Sequence, residues 1–305
     1  MRVLLTGATG FVGRALVHAL MERGDQRVAL TRDPTRARMA LPGLMQTYAW
    51  DPLEGLPPAE ALEDVDAVVN LMGESVAGRW TDEKRRAILE TRETGTRNLV
   101  LGMQMAARTA PAPRVLVNAS AGGYYGHRGE EELTEDAPPG EGFLAGVCVQ
   151  WEAAASRASV AGARVVMLRT GLVAGRDGGF LPPLSRLTRS GLSGPVGSGR
   201  QWWPWVHLDD MVGLILHALD NDDVQGPVNV CAPAPARQWE VARALGRVLR
   251  RPALMPAPAF ALRLTLGGFA SELLNSRRVV PAAALASGYA FRHPDLRAAL
   301  RDIYA

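Results

Sequence analysis

A glycine-rich segment close to the first residue could bind a phosphorylated ligand. Residues 6–13 read TGATGFVG, between an apolar run and an amphipathic stretch. Three glycines at this spacing between a strand and a helix are typical of a turn that holds the diphosphate of a dinucleotide, with the backbone free to approach it. A glycine-rich turn without a ligand is the alternative interpretation. The residues predicted to bind the cofactor here are Gly7, Thr9, Gly10, Phe11, Val12 and Gly13.

The residues after the second and third apolar runs bear on the kind of dinucleotide. The second run ends in Leu30, Thr31 and Arg32. An acidic residue near this point would bind the ribose 2′-hydroxyl of NAD, whereas an arginine accommodates a 2′-phosphate. Arg32 therefore predicts NADP(H), with Arg36 as a second candidate, although a solvated arginine would look the same. Asp51 could reach the adenine edge or could belong to a turn.

Candidate acid/base groups follow the fourth and fifth apolar runs. In a parallel sheet the carboxyl ends of the strands meet the ligand. Glu74 could be a general base or a surface glutamate, and Ser120 could bind a carbonyl oxygen or cap its strand. Tyr125 and its neighbour Tyr124 could donate a proton or could be packing residues. The residues expected to line the cofactor beyond the fourth run are Leu71, Met72 and Gly73.

The cysteines and histidines give no sign of metal chemistry. Cys148 and Cys231 have no CxxC pattern and no histidine cluster near them, so neither a metal site nor a disulfide is expected. Core packing is the favoured interpretation of Cys148. The segment around His207 indicates a loop entering a helix, with Asp209 or Asp210 as the N-cap. A structural role for His207 is favoured over a catalytic one.

The composition is typical of a soluble globular protein with a large core. The chain has 305 residues, 47% hydrophobic and 21% charged, with a net charge of +3. Acidic and basic residues are mixed along it, so neither a nucleic-acid nor a membrane partner is indicated. With no export signal and no membrane-length apolar stretch, a cytoplasmic location is expected. Lys84 is the only lysine.

The alternation of apolar runs with amphipathic stretches predicts an α/β fold, a Rossmann-type doubly wound parallel sheet. A smaller C-terminal α/β substrate lobe would follow. Residues 1–235 would form the nucleotide-binding domain, with 172–200 contributing to the lobe, and 236–305 the C-terminal domain. Strands are predicted at 2–6, 27–31, 46–49, 67–71, 114–119, 163–169 and 227–231, and helices at 12–23, 82–107 and 149–161. Residues 171–204 indicate loops with a short helix, and the tail from Gln238 two helices around a proline-rich link.

In this order the motifs resemble the extended short-chain dehydrogenase/reductase superfamily, and more closely its "epimerase family" proteins with a C-terminal domain of unknown function. The blocks are NLMGE (70–74), RWTDEK (79–84), SAGGYYG (120–126), FLA (143–145), WE (151–152), LRTG (168–171), WVHLDD (205–210), 251–258, RVVP (278–281), GY (288–289) and HP (293–294). The resemblance implies an NADP-binding domain with a substrate lobe. Arg79, Trp80 and Lys84 could border the substrate pocket, could bind phosphate or could belong to a solvated helix face. A homodimer is possible.

The acid/base pair of that superfamily is absent. Active members carry Tyr-x-x-x-Lys on the helix after the fifth strand, where a neighbouring cation lets the phenol work near neutral pH. Here residues 143–152 contain neither residue, and no other lysine exists than Lys84. The usual catalytic serine falls on Ala121. Two functions remain open: an NADP-dependent oxidoreductase or epimerase acting on a small carbonyl or sugar-like substrate through Tyr125, Ser120 or Glu74, and a non-catalytic NADP(H)-binding sensor or structural partner protein.

Overall fold

A computed structural model describes residues 1–109 and 111–305. Its strands are β1 (Arg2–Thr6), β2 (Gln26–Thr31), β3 (Gln46–Ala49), β4 (Ala67–Asn70), β5 (Val115–Ala121), β6 (Glu132–Leu133), β7 (Arg164–Thr170), β8 (Leu172–Ala174), β9 (Trp202–Trp203), β10 (Trp205–His207), β11 (Gly226–Val230), β12 (Ala236–Arg237) and β13 (Arg278–Val279). Its α-helices are α1 (Phe11–Glu22), α2 (Pro34–Ala40), α3 (Asp82–Ala106), α4 (Phe143–Ser156), α5 (Leu181–Arg189), α6 (Leu208–Asp220), α7 (Gln238–Val248), α8 (Ala259–Leu266), α9 (Phe269–Leu274), α10 (Ala282–Ala286) and α11 (Leu296–Tyr304).

Seven strands form one parallel sheet in the order β3-β2-β1-β4-β5-β7-β11. Helices α1 and α6 pack on one face through Leu16 and Ile215, and α3 and α4 cover the other through Leu99 and Ala155. Strands covered on both faces must be apolar throughout, which is why β1 and β4 have no alternating pattern. The predicted doubly wound α/β fold is confirmed. Its strand order reverses between β1 and β4, where such sheets bind their ligand.

The seven sheet strands lie within two residues of their predicted limits, but two helical predictions were wrong and one helix was missed. α4 begins at Phe143, six residues before the predicted start, because Gly142, at φ +111°, turns the chain directly before it. α2 was missed although Asp33 caps it and Pro34 occupies its first turn, a recognised start signal. The tail contains the five helices α7 to α11 rather than two.

The remaining strands connect the sheet to the tail. β8 pairs with β10, β9 with β12, and β6 with β13. Helix α5 packs with α7 and α11 in a separate apolar cluster that includes Leu181, Leu245 and Leu300. The tail is thus held by segments that follow β5 and β7. In the described part of the chain, no helix has both the length and the apolar character needed to cross a bilayer.

Candidate cofactor and substrate site

The turn between β1 and α1 has room only for glycine at two positions. Gly7 has φ +66°, and a Cβ there would lie 2.6 Å from the carbonyl oxygen of Leu71. A Cβ on Gly13 would collide with the carbonyl oxygen of Gly7 and lie 2.7 Å from that of Ala8. The first glycine therefore lets the turn touch the chain leaving β4, and the last lets α1 approach its own turn.

The N-terminus of α1 presents amide hydrogens that nothing in the described chain accepts. Gly10 is the N-cap and has no side chain to accept them, and the first turn has no acidic residue. The amides of Phe11, Val12 and Gly13 have no acceptor among the described residues. Three unpaired N–H groups at the positive end of a helix dipole suit an anion. Since Gly10 and Thr9 are exposed, a dinucleotide diphosphate fits this turn.

A second glycine cluster, which sequence reasoning missed, holds the ring of Phe11. A Cβ on Gly175 or Gly178 would come within 3.0 Å or 2.7 Å of the ring atom Cε2, and one on Gly179 within 3.2 Å of Cε1. These glycines follow β8, so the segment after β8 lies directly over the first turn of α1. The signal in the sequence was the spacing of the three glycines in 175–179.

The end of β2 leaves an arginine available for a phosphate. Arg32 is exposed, and its guanidinium makes no hydrogen bond or ion pair with the described residues. The neighbouring Asp33 accepts the amide hydrogen of Arg36 as the N-cap of α2. Asp51 Oδ1 accepts the amide hydrogen of Leu53 at 2.9 Å, which is the geometry of a turn aspartate. Its other oxygen remains open.

A buried hydrogen-bond network fixes the backbone beyond β4. Thr6 Oγ1 donates to Asn70 Oδ1 at 2.6 Å and accepts the amides of Leu71 and Met72, both at 3.2 Å. Asn70 Nδ2 in turn donates to Asn118 Oδ1 on β5 at 2.6 Å. Buried amide groups of this kind are stable only when every donor and acceptor is satisfied. The network therefore holds the 71–73 backbone in register beside Gly7.

Glu74 and Lys84 form an ion pair beyond the end of β4. Lys84 Nζ donates to Glu74 Oε1, and the two side chains are 25% and 40% exposed. The amide of Glu74 donates to Thr91 Oγ1 on α3 at 2.9 Å. The single lysine is therefore paired with this carboxylate, which follows the carboxyl end of β4.

Ser120 and Tyr125 lie inside a buried polar network. Ser120 Oγ donates to Glu152 Oε1 at 2.6 Å, and Arg169 donates to both oxygens of Glu152 at 3.0 Å. Tyr125 is 0% exposed; its hydroxyl donates to Asn229 at 2.6 Å and accepts from Arg169 at 3.0 Å. Burial raises the pKa of Tyr125 to about 12, against the opposing effect of the Arg169 hydrogen bond. The Ser120 hydroxyl thus links β5 to α4, and the Tyr125 hydroxyl links the turn after β5 to β7 and β11.

Tyr124 differs from its neighbour. Its ring stacks on the guanidinium of Arg169, 3.5 Å from the ring centroid, and meets Tyr125 edge-on at 5.2 Å. Its hydroxyl has no hydrogen-bond partner among the described residues and is not sealed from solvent. Of the two tyrosines, only Tyr124 has a phenol that is free.

Helix α4 carries neither tyrosine nor lysine, as the sequence requires. Cys148, on its second turn, is buried, and its thiol lies 3.7 Å from the carbonyl oxygen of Ala121. Burial, followed by the nearby Glu152, raises the pKa of Cys148 to about 11. Because the thiolate is the reactive form, a buried protonated thiol is a packing group.

A cavity of about 830 Å³ lies against the first residue of α4. Its wall includes Trp80, Arg85, Phe143 and, from the C-terminal lobe, Gly268. The Arg85 guanidinium lies 5.6 Å from the centroid of Trp80 and 5.1 Å from that of Phe143. Arg79, by contrast, is exposed beside Gly267 rather than in this wall. The cavity therefore lies between the segments that follow β4 and β5 and the residues 268–275 of the tail.

His207, rather than Asp209 or Asp210, is the N-cap of α6, which corrects the sequence-based prediction. Its Nδ1 accepts the amide hydrogen of Asp209 at 3.1 Å. The ring stacks on His293 at 3.8 Å, and Nε2 lies 3.5 Å from Asp302 Oδ2. His207, Asp209, His293 and Asp302 together have the spacing of metal ligands. However, the lone pair of His207 Nδ1 already accepts the amide hydrogen of Asp209. A neutral ring must then carry its proton on Nε2, which makes it a poor ligand.

Family comparisons cover almost the whole chain. Residues 3–231 match the NAD dependent epimerase/dehydratase family, and residues 257–303 match a domain of unknown function, DUF1731. "Epimerase family protein SDR39U1 homolog, chloroplastic" of Arabidopsis thaliana is 37% identical over 99% of this chain and 86% of its own. "Epimerase family protein SDR39U1" of Mus musculus is 36% identical over the full length of both chains.

Three solved structures superpose on this chain over its full length. Human epimerase family protein SDR39U1 (isoform 2), crystallised with NADPH, superposes with a TM-score of 0.87 at 34% identity, covering 100% of this chain and 99% of that one. A nucleoside-diphosphate sugar epimerase from Corynebacterium glutamicum gives 0.78 at 32% identity, over 100% of this chain and 58% of that one. UDP-glucuronic acid 4-epimerase from Bacillus cereus, at 17% identity over 100% and 96%, shares the fold with a TM-score of 0.78.

Proposed function

The chain belongs to the NAD dependent epimerase/dehydratase family, and on this premise we propose that it binds NADPH and exchanges hydride with a small carbonyl or sugar-like substrate. The observation that carries the proposal is the set of amides of Phe11, Val12 and Gly13, which have no acceptor in the described chain. They lie at the helix terminus where such folds bind a diphosphate. The human relative crystallised with NADPH supports the same cofactor here.

The arrangement of charges favours NADPH over NADH. Arg32 follows β2, and its guanidinium has no hydrogen-bond or ion-pair partner among the described residues. The adjacent acidic residue, Asp33, caps α2. A guanidinium binds a 2′-phosphate through charge-assisted hydrogen bonds. From there the cofactor would cross α1 at the diphosphate and continue past β4 toward α4.

The cavity beside Phe143 is the place for the substrate. It adjoins the first residue of α4 and is closed on the far side by α9 and its flanking residues. A reduced nicotinamide held beside this cavity would supply hydride to a carbonyl carbon, and the carbonyl oxygen would need a proton from the protein. Of the three predicted acid/base residues, only Glu74 has an open side chain; Ser120 and Tyr125 are buried with their hydroxyls bonded. We assign the proton transfer to Glu74, which would pass a proton from the paired Lys84 ammonium to the carbonyl oxygen, with solvent restoring the proton to Lys84. Ser120 and Tyr125 have a positioning role.

A non-catalytic NADPH-binding protein is the second candidate. The observation that favours it is α4, which has Phe143 at its first position and no tyrosine or lysine at any other. In such a protein the cofactor would stabilise the closed arrangement of domain and tail for a partner.

Calorimetric titration with NADPH tests the shared premise. Gly10→Ala introduces a Cβ that meets only the Gly7 carbonyl oxygen, at 3.1 Å, so the fold survives while the diphosphate approach is obstructed. We expect at least about tenfold weaker binding, a loss of about 1.4 kcal/mol. Gly55→Ala, with no heavy atom within 4 Å of its Cβ, is the matched control. Wild-type protein that takes up no NADPH would refute both functions.

Turnover separates the two functions. NADPH oxidation is followed with a panel of small aldehydes, ketones and oxidised sugars. Consumption that depends on one class of carbonyl compound supports the enzyme. Tight NADPH binding without turnover of any compound in the panel supports the non-catalytic protein.

A further inference from the structure

Arg92, in the third turn of α3, reaches the chain that leaves β4. Its Nη1 donates to the carbonyl oxygens of Glu74 at 2.9 Å and Ile88 at 3.1 Å. A Cβ on Gly73 would lie 3.0 Å from the guanidinium carbon, so the guanidinium lies directly against that glycine. The ring of Trp151, on α4, lies 5.0 Å away on another side. Two backbone acceptors and two packing surfaces thus fix the position of the charge.

This charge has no anionic partner in the described chain. No carboxylate lies within ion-pair distance of Arg92, and the carboxylate of Glu74 is paired with Lys84. Cys148 is close but holds its proton, since burial raises the pKa of that thiol. Burial also lowers the pKa of Arg92, with opposing effects from Cys148 and Glu74. A mostly buried cation without a counter-charge is costly, which points to a partner outside the protein chain.

The guanidinium also has donors to spare on an accessible side. Nε and Nη2 make no hydrogen bond with the described residues, yet neither is sealed from solvent. Gly73, which the guanidinium faces, is exposed. These donors therefore open toward the space in front of the sheet rather than into the core.

The location of that space follows from the topology. Gly73 extends β4, and Cys148, which is close to Arg92, contacts Ala121 at the end of β5. The charge thus lies between the carboxyl ends of β4 and β5. With the 2′-phosphate end at Arg32 beyond β2 and the diphosphate at α1, the nicotinamide half is the part of the cofactor that must run here.

We propose that Arg92 supplies the positive charge of the hydride-transfer site, where the chain has no lysine, and makes that site select NADPH over NADP⁺. The inference rests on the proposed function. The oxidised nicotinamide ring is cationic and the reduced ring is neutral, so a fixed guanidinium beside it repels only the oxidised form. The same charge would stabilise the oxyanion that develops on a carbonyl substrate. Arg92 is thus a specificity-determining residue of the cofactor site.

The test compares dissociation constants for NADPH and NADP⁺ by calorimetry. Arg92→Met removes the charge and keeps an apolar stem against Trp151; we expect the preference for NADPH to fall by about tenfold, a modest effect for one charge at partly screened range. Arg92→Lys keeps the charge and should retain most of the preference. Arg86→Met removes an exposed cation from the same helix, α3, and the ratio should not change. An unchanged ratio in a folded Arg92→Met variant would overturn the proposal.

A measurement on the wild-type protein keeps the test independent of folding of the variants. The neutral, non-aromatic analogue tetrahydro-NADP should bind like NADPH if the repulsion is electrostatic. Binding as weak as that of NADP⁺ would refute the role of Arg92. If the wild-type protein bound none of the three nucleotides, the failure would lie with the proposed function and not with this assignment.

Discussion

At the scale of single residues, the choice of nucleotide depends on Arg32. Arg32→Ala should weaken NADPH binding by about 1.5–3 kcal/mol, the usual contribution of a hydrogen bond to a charged group. NADH has no 2′-phosphate, so its affinity should change little. Calorimetric titrations of both nucleotides measure the difference. Arg108→Ala, an exposed change beyond the end of α3, is the control, and equal losses for NADPH and NADH would contradict the assignment.

The proposed proton transfer passes through Glu74. Glu74→Gln should keep NADPH affinity and lower kcat by about 10²-fold or more, the usual contribution of a general acid or base. Glu83→Gln, an exposed change beside Lys84 in the same turn of α3, is the matched control. Steady-state kinetics with whichever carbonyl compound is turned over provide the measurement. Equal kcat values for the two variants would move the proton transfer elsewhere, with Tyr124 as the next candidate.

Sequence patterns could place these side chains along the chain but not orient them. Ser120 and Tyr125 follow the fifth strand, as predicted, yet their hydroxyls point into the Glu152–Arg169 network. That direction depends on a 3₁₀ turn, Gly122–Tyr125, and on partners up to 104 residues away. The unpaired charge of Arg92 has the same origin. The neighbours of Arg92 come from three separate segments of the chain, and a local sequence pattern cannot predict contacts between distant segments.

At the scale of elements, the close contact of α1 with the turn before it leaves no room for a side chain at Gly13. Gly13→Ala would place a Cβ against the backbone oxygens of Gly7 and Ala8, so we expect a loss of about 1–3 kcal/mol in the free energy of unfolding, together with weaker NADPH binding. The same change at Gly146, inside α4 with no heavy atom near its Cβ, should stabilise by about 0.5–1 kcal/mol. Urea unfolding of both variants measures the contrast; two changes of the same sign would be inconsistent with it.

The strands were predictable because each is a short apolar run between turn residues. Helices were harder. Residues 143–148 are apolar with a glycine among them, a composition that fits a loop or strand as well as the first turns of α4. The tail helices α8, α9 and α10 are only eight, six and five residues long, which is too short for a helical period to stand out. Their positions depend on contacts with the domain instead.

At the scale of the whole molecule, buried hydrogen bonds hold the tail to helix α6, which packs on the sheet. The carboxylate of Asp210, on α6, accepts the amide hydrogens of Arg292 and His293 at 2.8 and 2.9 Å and the hydroxyl of Tyr289 at 3.1 Å. Asp210→Ala should cost about 2–4 kcal/mol of unfolding free energy, since it leaves buried donors unsatisfied. Limited proteolysis should then cut the chain beyond residue 281 first. Asp223→Ala, an exposed change three residues beyond the end of the same helix, is the control.

The same junction makes stability depend on pH through His207. Burial, and next to it the nearby His293, lower the pKa of His207 below its usual 6.5, while Asp209, Asp302 and Asp210 oppose the shift. Above about pH 6.5 the His207 ring is neutral in both the folded and the unfolded state. As the pH falls through that value, the ring is protonated in the unfolded chain but stays neutral in the folded protein. The free energy of unfolding therefore decreases until the pKa of the folded state is reached. His207→Asn keeps an acceptor for the Asp209 amide without titrating, and its unfolding free energy should fall less between pH 7 and 5. Urea unfolding at fixed ionic strength gives the two slopes. His18→Asn, at a side chain 66% exposed, should follow the wild type. A His207→Asn slope equal to that of the wild type would show that the pH dependence of stability does not come from His207.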